Sequence, residues 1–339
     1  MKKYLFLLLL IHSTAVNAQF KLSGTIKNYN GHDELKINIP VVYGFNDARS
    51  VKIPVTKTGT FSINLPVKAR KFGDLIFQQN FYLLLLTRGK SLQVELDPQA
   101  RHIKLTAGTS LPENTVLQKV NIEEYPFFLK NYAAYIDLRP AELDSKLVRP
   151  YFAERDKKIT TVNQSVINLT DKKLIASEVK YAAYNNLYEL VLLGGPYNEK
   201  LRNLVISAYD KANIKPEVTL PGPQYYLFAN YYLWYKKTKA SIKVKTQNIK
   251  PNQPMPDYGM TVAQFNDFGN KFGSTYQQWL GASRFLPRPV VEQLGYVYID
   301  NAVRNNSAVL AKLMAKDYIR KFPNGMYKKE VNRKIAGLK

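Results

Sequence analysis

The stretch Asn80–Asp97, NFYLLLLTRGKSLQVELD, decides how the first part of this chain is read. Phe81 to Leu86 is an unbroken apolar run, and Ser91 to Asp97 alternates. Side chains of a strand point to opposite faces in turn, so Leu92, Val94 and Leu96 share one face and Gln93, Glu95 and Asp97 the other. This predicts a first strand buried on both faces and a second buried on one. Thr87-Arg88-Gly89-Lys90 lies between them, and Gly89 can take the positive φ of a tight turn. The expectation is a β-hairpin, which needs further strands around it to be stable.

Those strands are legible on either side. Phe20–Ile26 alternates, with Gly24 read as a bulge, and Leu35, Ile37 and Ile39 alternate again up to Pro40. Val51, Ile53 and Val55 lead to the turn Lys57-Thr58-Gly59-Thr60, then Phe61, Ile63 and Leu65. Leu75–Phe77 and Ile103–Leu105 complete the set. Short strands about ten residues apart predict an antiparallel β-sandwich or partial barrel.

After Ser110 the apolar spacing becomes three to four, which is helical. Helices are predicted from Val116 with a break at Pro126, and over Pro140–Val162 with Pro150 inside. Further helices are read over Asp171–Leu193, capped by Asp171, and from Asn198 to Ala212. Pro223–Lys237, Val262–Leu280, Pro289–Asn305, Ser307–Phe322 and Met326–Ile335 follow. The fold class expected is α+β: a β domain over 19–110, then an α-helical domain over 111–339.

Residues 1–18 read as a secretory signal peptide. Lys2 and Lys3 precede the apolar run Tyr4–Ile11, and Val16 and Ala18 stand at the small positions before a cut after Ala18. The run is shorter than the ~20 residues of a bilayer span, and no second long apolar stretch follows. An exported protein of the periplasm or cell envelope is therefore expected.

The chain carries 49 Lys and Arg against 26 Asp and Glu, a formal charge of +23. The excess is spread: 19–110 holds 13 basic and 6 acidic residues, and 111–339 holds 34 and 20. Such a field favours acidic partners. In an envelope protein these are anionic glycans or lipid headgroups rather than nucleic acid, although a high pI can also be a general habit of a proteome.

There is no Cys, which excludes thiol catalysis, Cys-ligated zinc and iron–sulfur clusters. Beyond the leader only His32 and His102 occur, without metal-ligand spacing. No nucleophile elbow or phosphate-binding Gly loop is present. Glu123 and Glu124 are adjacent and point to different sides of a helix, so a hydrolase pair has no support in the local pattern. The expectation is a protein without catalytic residues, metal or cofactor.

The most unusual stretch is Tyr225–Lys250. Tyr225, Tyr226, Trp234 and Tyr235 precede Lys236, Lys237, Lys239, Lys243 and Lys245, with no acid between Glu217 and Asp257. Aromatic faces can stack on sugars, and lysines attract phosphate or carboxylate, which makes these nine residues the candidate binding set. The opposing reading is structural. Tyr225, Phe228, Tyr232 and Tyr235 fall at helix spacing, so the rings would be core and the lysines a solvated face.

Two groups of residues carry a family resemblance. Phe20–Ile26, Thr58-Gly59-Thr60-Phe61-Ser62-Ile63 and Phe81–Val94 resemble the small β domain of unknown function that precedes thioredoxin-like domains in exported Bacteroidetes proteins. The helical region, with its closing YIRKFPNGMYKKEV, is similar to the segment that follows there. The resemblance spans about 19–339 and implies a scaffold or accessory module that contacts another exported or envelope protein. It cannot carry disulfide exchange to a chain without Cys, because the nucleophile of that exchange is a thiolate.

Overall fold

A computed structural model describes residues 19–40, 42, 50–195, 198–217 and 222–338. The leader reading falls on 1–18 and lies outside the described residues. The fold is mixed α+β, with an N-terminal β region followed by helices. Two compact units are formed, one from 19–124 with 153–180 and the other from 125–152 with 181–338.

In the first unit, eight strands make two four-stranded sheets. They are β1 (Phe20–Ile26), β2 (Leu35–Asn38), β3 (Ser50–Ile53), β4 (Thr60–Leu65), β5 (Lys71–Phe77), β6 (Asn80–Leu86), β7 (Ser91–Asp97) and β8 (His102–Ala107). The orders are β4-β1-β7-β8 and β3-β2-β5-β6. Their inner faces share one core: Phe20, Leu22, Leu92, Val94 and Leu96 from one sheet, and Leu35, Ile37, Leu75, Phe77 and Leu84 from the other. This is a sandwich, held by interdigitating apolar side chains.

Four details differ from the sequence expectations. First, Asn80–Asp97 is not a hairpin: β6 belongs to one sheet and β7 to the other. The Thr87–Lys90 turn crosses between them and bonds to the start of β1. Gly89 N–H donates to Gln19 O at 3.1 Å, and Lys21 N–H donates to Lys90 O at 3.0 Å. Each strand has better partners than the other, since β6 pairs with β5 and β7 sits between β1 and β8. The true hairpin is β5–β6, turned by Gln78 and Gln79 at φ 48° and 66°.

Second, the sheet is not wholly antiparallel, because β1 runs parallel to β7. Third, Gly24 makes no bulge and stays in register with Phe61 and Val94. A Cβ there would overlap Val94 O and stand 2.9 Å from the Phe61 ring, so glycine serves close approach. The bulge falls instead at Gln93/Val94 against β8. Fourth, only Leu84, Leu85 and Leu86 of β6 are buried in succession, while Phe81 is exposed.

Helix α1 (Leu111–Val120) packs on β6, β7 and β8. Its side chains finish the sheet edges. Asn114 accepts from Leu85 N at 2.7 Å and donates to Leu85 O at 3.0 Å, standing in for a neighbouring strand. Gln118 Nε2 donates to Ile103 O at 2.7 Å. Lys90 pairs with the buried Glu113 at 2.6 Å, and Ser110 Oγ donates to the same carboxylate at 2.8 Å.

The chain continues through the short helices α2 (Phe127–Lys130), α3 (Ala133–Ile136) and α4 (Pro140–Leu143), then a π-turn over Asp144–Val148 and α5 (Arg149–Gln164). The π-turn falls directly before Pro150, which lacks the N–H for an ordinary helical bond and whose ring needs room in the preceding turn. Helix α6 (Leu169–Leu193) is capped by Asn168, whose Oδ1 accepts from Asp171 N at 3.0 Å. Asp171 is therefore not the cap. It is fully buried and ion-paired with Arg70, its Oδ1 2.5 Å from Nε.

Helices α7 (Glu199–Ala212), α8 (Pro223–Thr246), α9 (Val262–Phe285), α10 (Arg288–Arg304), α11 (Ala308–Lys321) and α12 (Lys328–Ala336) complete the chain. Helix α7 begins where expected, with Asn198 accepting from Leu201 N at 3.1 Å. Helix α8 runs beyond Lys237 to Thr246 because Ala240 and Val244 carry its apolar stripe onward onto Met255, Tyr258 and Phe265. Helix α9 is not straight. Gly273 at φ 78° and ψ 178° breaks it, and its two ends meet. A straight 24-residue helix would be ~36 Å long. Here Phe265 and Phe285 both touch the Tyr258 ring, at 4.6 and 5.3 Å between centroids. Glu292 of α10 accepts from Met326 N at 2.5 Å and so ties down the turn between α11 and α12.

Candidate functional site

Helix α8 and the cleft beside it lie in the second unit. Tyr225, Tyr226, Tyr232 and Tyr235 of α8 are buried. Their polar ends are consumed inside: Tyr225 OH donates to Glu217 O, Tyr226 OH to Gln293, and Tyr235 OH to Asp210. Half-buried Tyr231 likewise donates to Glu189. Burial and the neighbouring carboxylates push the Tyr231 and Tyr235 phenols well above their ordinary range. A tyrosine buries like an apolar residue when its hydroxyl finds a partner, which explains such density of rings within one helix. Trp234 is half-buried, edge-on to Tyr188 at 4.6 Å.

The lysines spread around the helix. Lys237 points to Gln277 Oε1 at 3.5 Å, and burial lowers its pKa. Lys239 pairs with Asp210 at 2.7 Å and lies over the Tyr235 ring. Lys243 and Lys245 are exposed in the last turn, where they complement the helix dipole. The nine residues singled out in the sequence do not converge. Of the nine, Lys236 lines the concavity described next.

That concavity is a cleft of about 600 Å³ lined by Lys236, Asp257, Tyr258, Arg284, Phe285 and Lys321, among others. Its floor is rigid. The loop before α9 is closed by Met255 N–H donating to Met260 O at 2.8 Å and by a bridge between Pro254 and Thr261. Thr261 and Gln264 cap α9 reciprocally, at 3.2 and 2.9 Å. Tyr258 is buried in a small core with Ala240, Met255, Val262 and Phe265. Burial and the charge of Asp257 push its phenol well up. The fold of α9 at Gly273 brings Phe285 back beside this loop.

Each cation of the cleft is held differently. Lys236 Nζ stands 3.7 Å from Asp257 Oδ2 and 4.7 Å above the Phe285 ring. Lys321 Nζ donates to Ser283 Oγ at 2.7 Å and lies 3.5 Å from Asp317, over the Trp279 ring. Asp317 is already met by Arg320 at 2.5 Å and by Trp279 Nε1 at 2.8 Å. Arg284 is exposed, and no acidic residue among the described residues pairs with it. Its guanidinium packs on Gly259, where φ is +65° and any Cβ would overlap it. Asp257 also has φ 65°, a strained conformation for a residue with a side chain. Two left-handed residues in one short loop thus present a carboxylate and a bare backbone surface to the cleft. Sequence reading missed Arg284, Lys321 and Gly259, since the signal for them is spatial. They come from α9, α11 and the preceding loop.

The second concavity belongs to the first unit. It measures about 360 Å³ and is lined by Tyr82, His102, Gln118, Asn121 and Glu123, among others. Nearby Asp74 is pushed up to about 6 by burial. Glu123 is exposed, yet the protein packed beside it and the charge of Asp74 push it up to about 7. His32 lies apart, in an exposed turn held by Asn30. Among the described residues no group of three His, Cys, Asp or Glu could hold a metal ion. No helix among them is long and apolar enough to cross a membrane.

Compared with family models, curated proteins and solved structures, the chain matches none.

Proposed function

We propose that this is a non-enzymatic, exported envelope protein, a binding module that takes an anionic group of a glycan or lipid headgroup in the Lys236–Arg284–Lys321 cleft. The observation that carries this reading is Arg284. A guanidinium without an acidic partner among the described residues lines the same cleft as two lysines. Arginine forks match the two oxygens of carboxylate or phosphate, and the net charge of +23 draws such groups in. The reading as a scaffold for another exported protein has the family resemblance behind it.

The test is retention of the purified full chain on an immobilised anionic polysaccharide across a salt gradient. Affinity should fall steeply with salt, because exposed charges are screened within about 10 Å at 0.1 M. Lys236→Glu and Arg284→Glu should elute much earlier than Lys243→Glu, which reverses the same charge outside the cleft. Equal elution of all three variants would defeat the assignment to this site.

A further inference from the structure

We infer that the cleft is a subsite for a terminal phosphomonoester, an inference that rests on the anion-binding reading above and narrows it. Three features of the cleft select this group. The first is charge. Lys236, Arg284 and Lys321 face one cleft carboxylate, Asp257, which leaves two positive charges to be met from outside. Asp317 does not alter that balance, since Arg320 holds it at 2.5 Å. A phosphomonoester carries about −1.5 to −2 at neutral pH, whereas a phosphodiester or a carboxylate carries only one charge.

The second feature is shape. The Arg284 guanidinium packs on Gly259, where glycine alone leaves room. No acidic residue among the described residues takes up its donors, and a planar fork of donors fits two oxygens of one phosphoryl group. The neighbouring lysines act as point charges on the same group. The third feature is the position of Asp257. Its side chain is 49% exposed, at the lip of the cleft and in a left-handed backbone. A carboxylate there repels a second anionic group, so it works against a chain of successive charges. It can accept a hydrogen bond from a hydroxyl next to the phosphate. The site is thus built for the end of a ligand.

The experiment is calorimetric titration of the full chain with phenyl phosphate, methyl phenyl phosphate and benzoate at pH 7.5 and pH 5. Phenyl phosphate should bind at least tenfold tighter than the other two at pH 7.5. The gap should shrink at pH 5, because the second pKa of a monoester is about 6. Arg284→Lys should keep binding but lose most of the preference, and Asp257→Asn should improve binding of the singly charged probes. Equal affinity for monoester and diester, or a preference that survives Arg284→Gln, would overturn the inference. If Arg284→Gln weakens polysaccharide retention while the monoester shows no preference, the phosphomonoester subsite fails and the broader reading stands. If Arg284→Gln changes neither, both fail. Phosphatidylcholine vesicles with and without phosphatidic acid separate the sources. Tighter binding to the acidic vesicles than to phenyl phosphate places the ester on a lipid, and no gain places it on a soluble or glycan ligand. The subsite is supported in either case.

Discussion

Gly259→Ala separates the backbone of the cleft from its charge. The three heavy atoms nearest to a Cβ built at Gly259 all belong to Arg284. The substitution therefore has two independent costs. One is local: alanine at φ +65° costs about 1–2 kcal/mol relative to its preferred conformations. The other is displacement of Arg284. That side chain is exposed, so swinging it away costs only about 0.5–1 kcal/mol of rotamer strain. Together the loss of stability should be about 1.5–3 kcal/mol. In an Arg284→Ala background the overlap is gone, and Gly259→Ala should cost only its backbone share. Arg284→Ala alone should change stability by less than about 0.5 kcal/mol, as surface substitutions do. The assay is denaturant unfolding of the four chains that make the double-mutant cycle, followed by anion titration of each. Anion binding should fall in Gly259→Ala about as far as in Arg284→Ala, by roughly 10-fold or more if one charge-assisted hydrogen bond of about 1.5–3 kcal/mol is lost. Wild-type affinity in Gly259→Ala, or equal destabilisation by it in both backgrounds, would refute the packing of Arg284 on Gly259 as the organising contact of the cleft.

The remaining predictions concern the fold. Arg70→Ala strands the fully buried Asp171 carboxylate and should cost about 3–5 kcal/mol, whereas the double variant Arg70→Ala/Asp171→Ala should recover much of that loss in chemical unfolding. Tyr209 is buried against Tyr184, Phe228 and Tyr235 and its hydroxyl has no hydrogen-bond partner among the described residues, so Tyr209→Phe should raise stability by about 1 kcal/mol, and a loss of stability would contradict this. Burial pushes the Asp74 carboxyl up to about 6, and the surrounding protein with the charge of Asp74 pushes Glu123 up to about 7, above the unfolded values of about 4. The folded state then binds more protons than the unfolded state between these values, so their contribution is complete below about pH 4 and declines as pH rises through 7. Asp74→Asn should flatten that decline and gain stability at pH 7.5 over wild type; an unchanged pH profile would show that Asp74 is not the responsible group.

Strand existence was legible wherever alternation was clean. Leu92, Val94 and Leu96 face the core as the period of two requires. Strand partnership was not legible. A four-residue turn with Gly89 suits a hairpin, and the same turn suits a crossing between two sheets. Only the competition among all strands decides between them. The candidate site divides in the same way. The helical spacing of Tyr225, Phe228, Tyr232 and Tyr235 told of core, and the burial of these rings agrees. Lys236 was within the stretch singled out, but its companions at the cleft stand 48 and 85 positions further on, at Arg284 and Lys321.

Amino-acid order alone determined the change from strands to helices after Ser110, the identities of most helices and the absence of thiol chemistry. These depend on local periodicity and on residue type, which act over a few neighbours. Tertiary structure alone decided which sheet each strand joined, where α9 folded back at Gly273 and which cations met at one cleft. Those outcomes depend on packing between segments distant in the chain. Burial is a property of the assembled core, and no local window contains it.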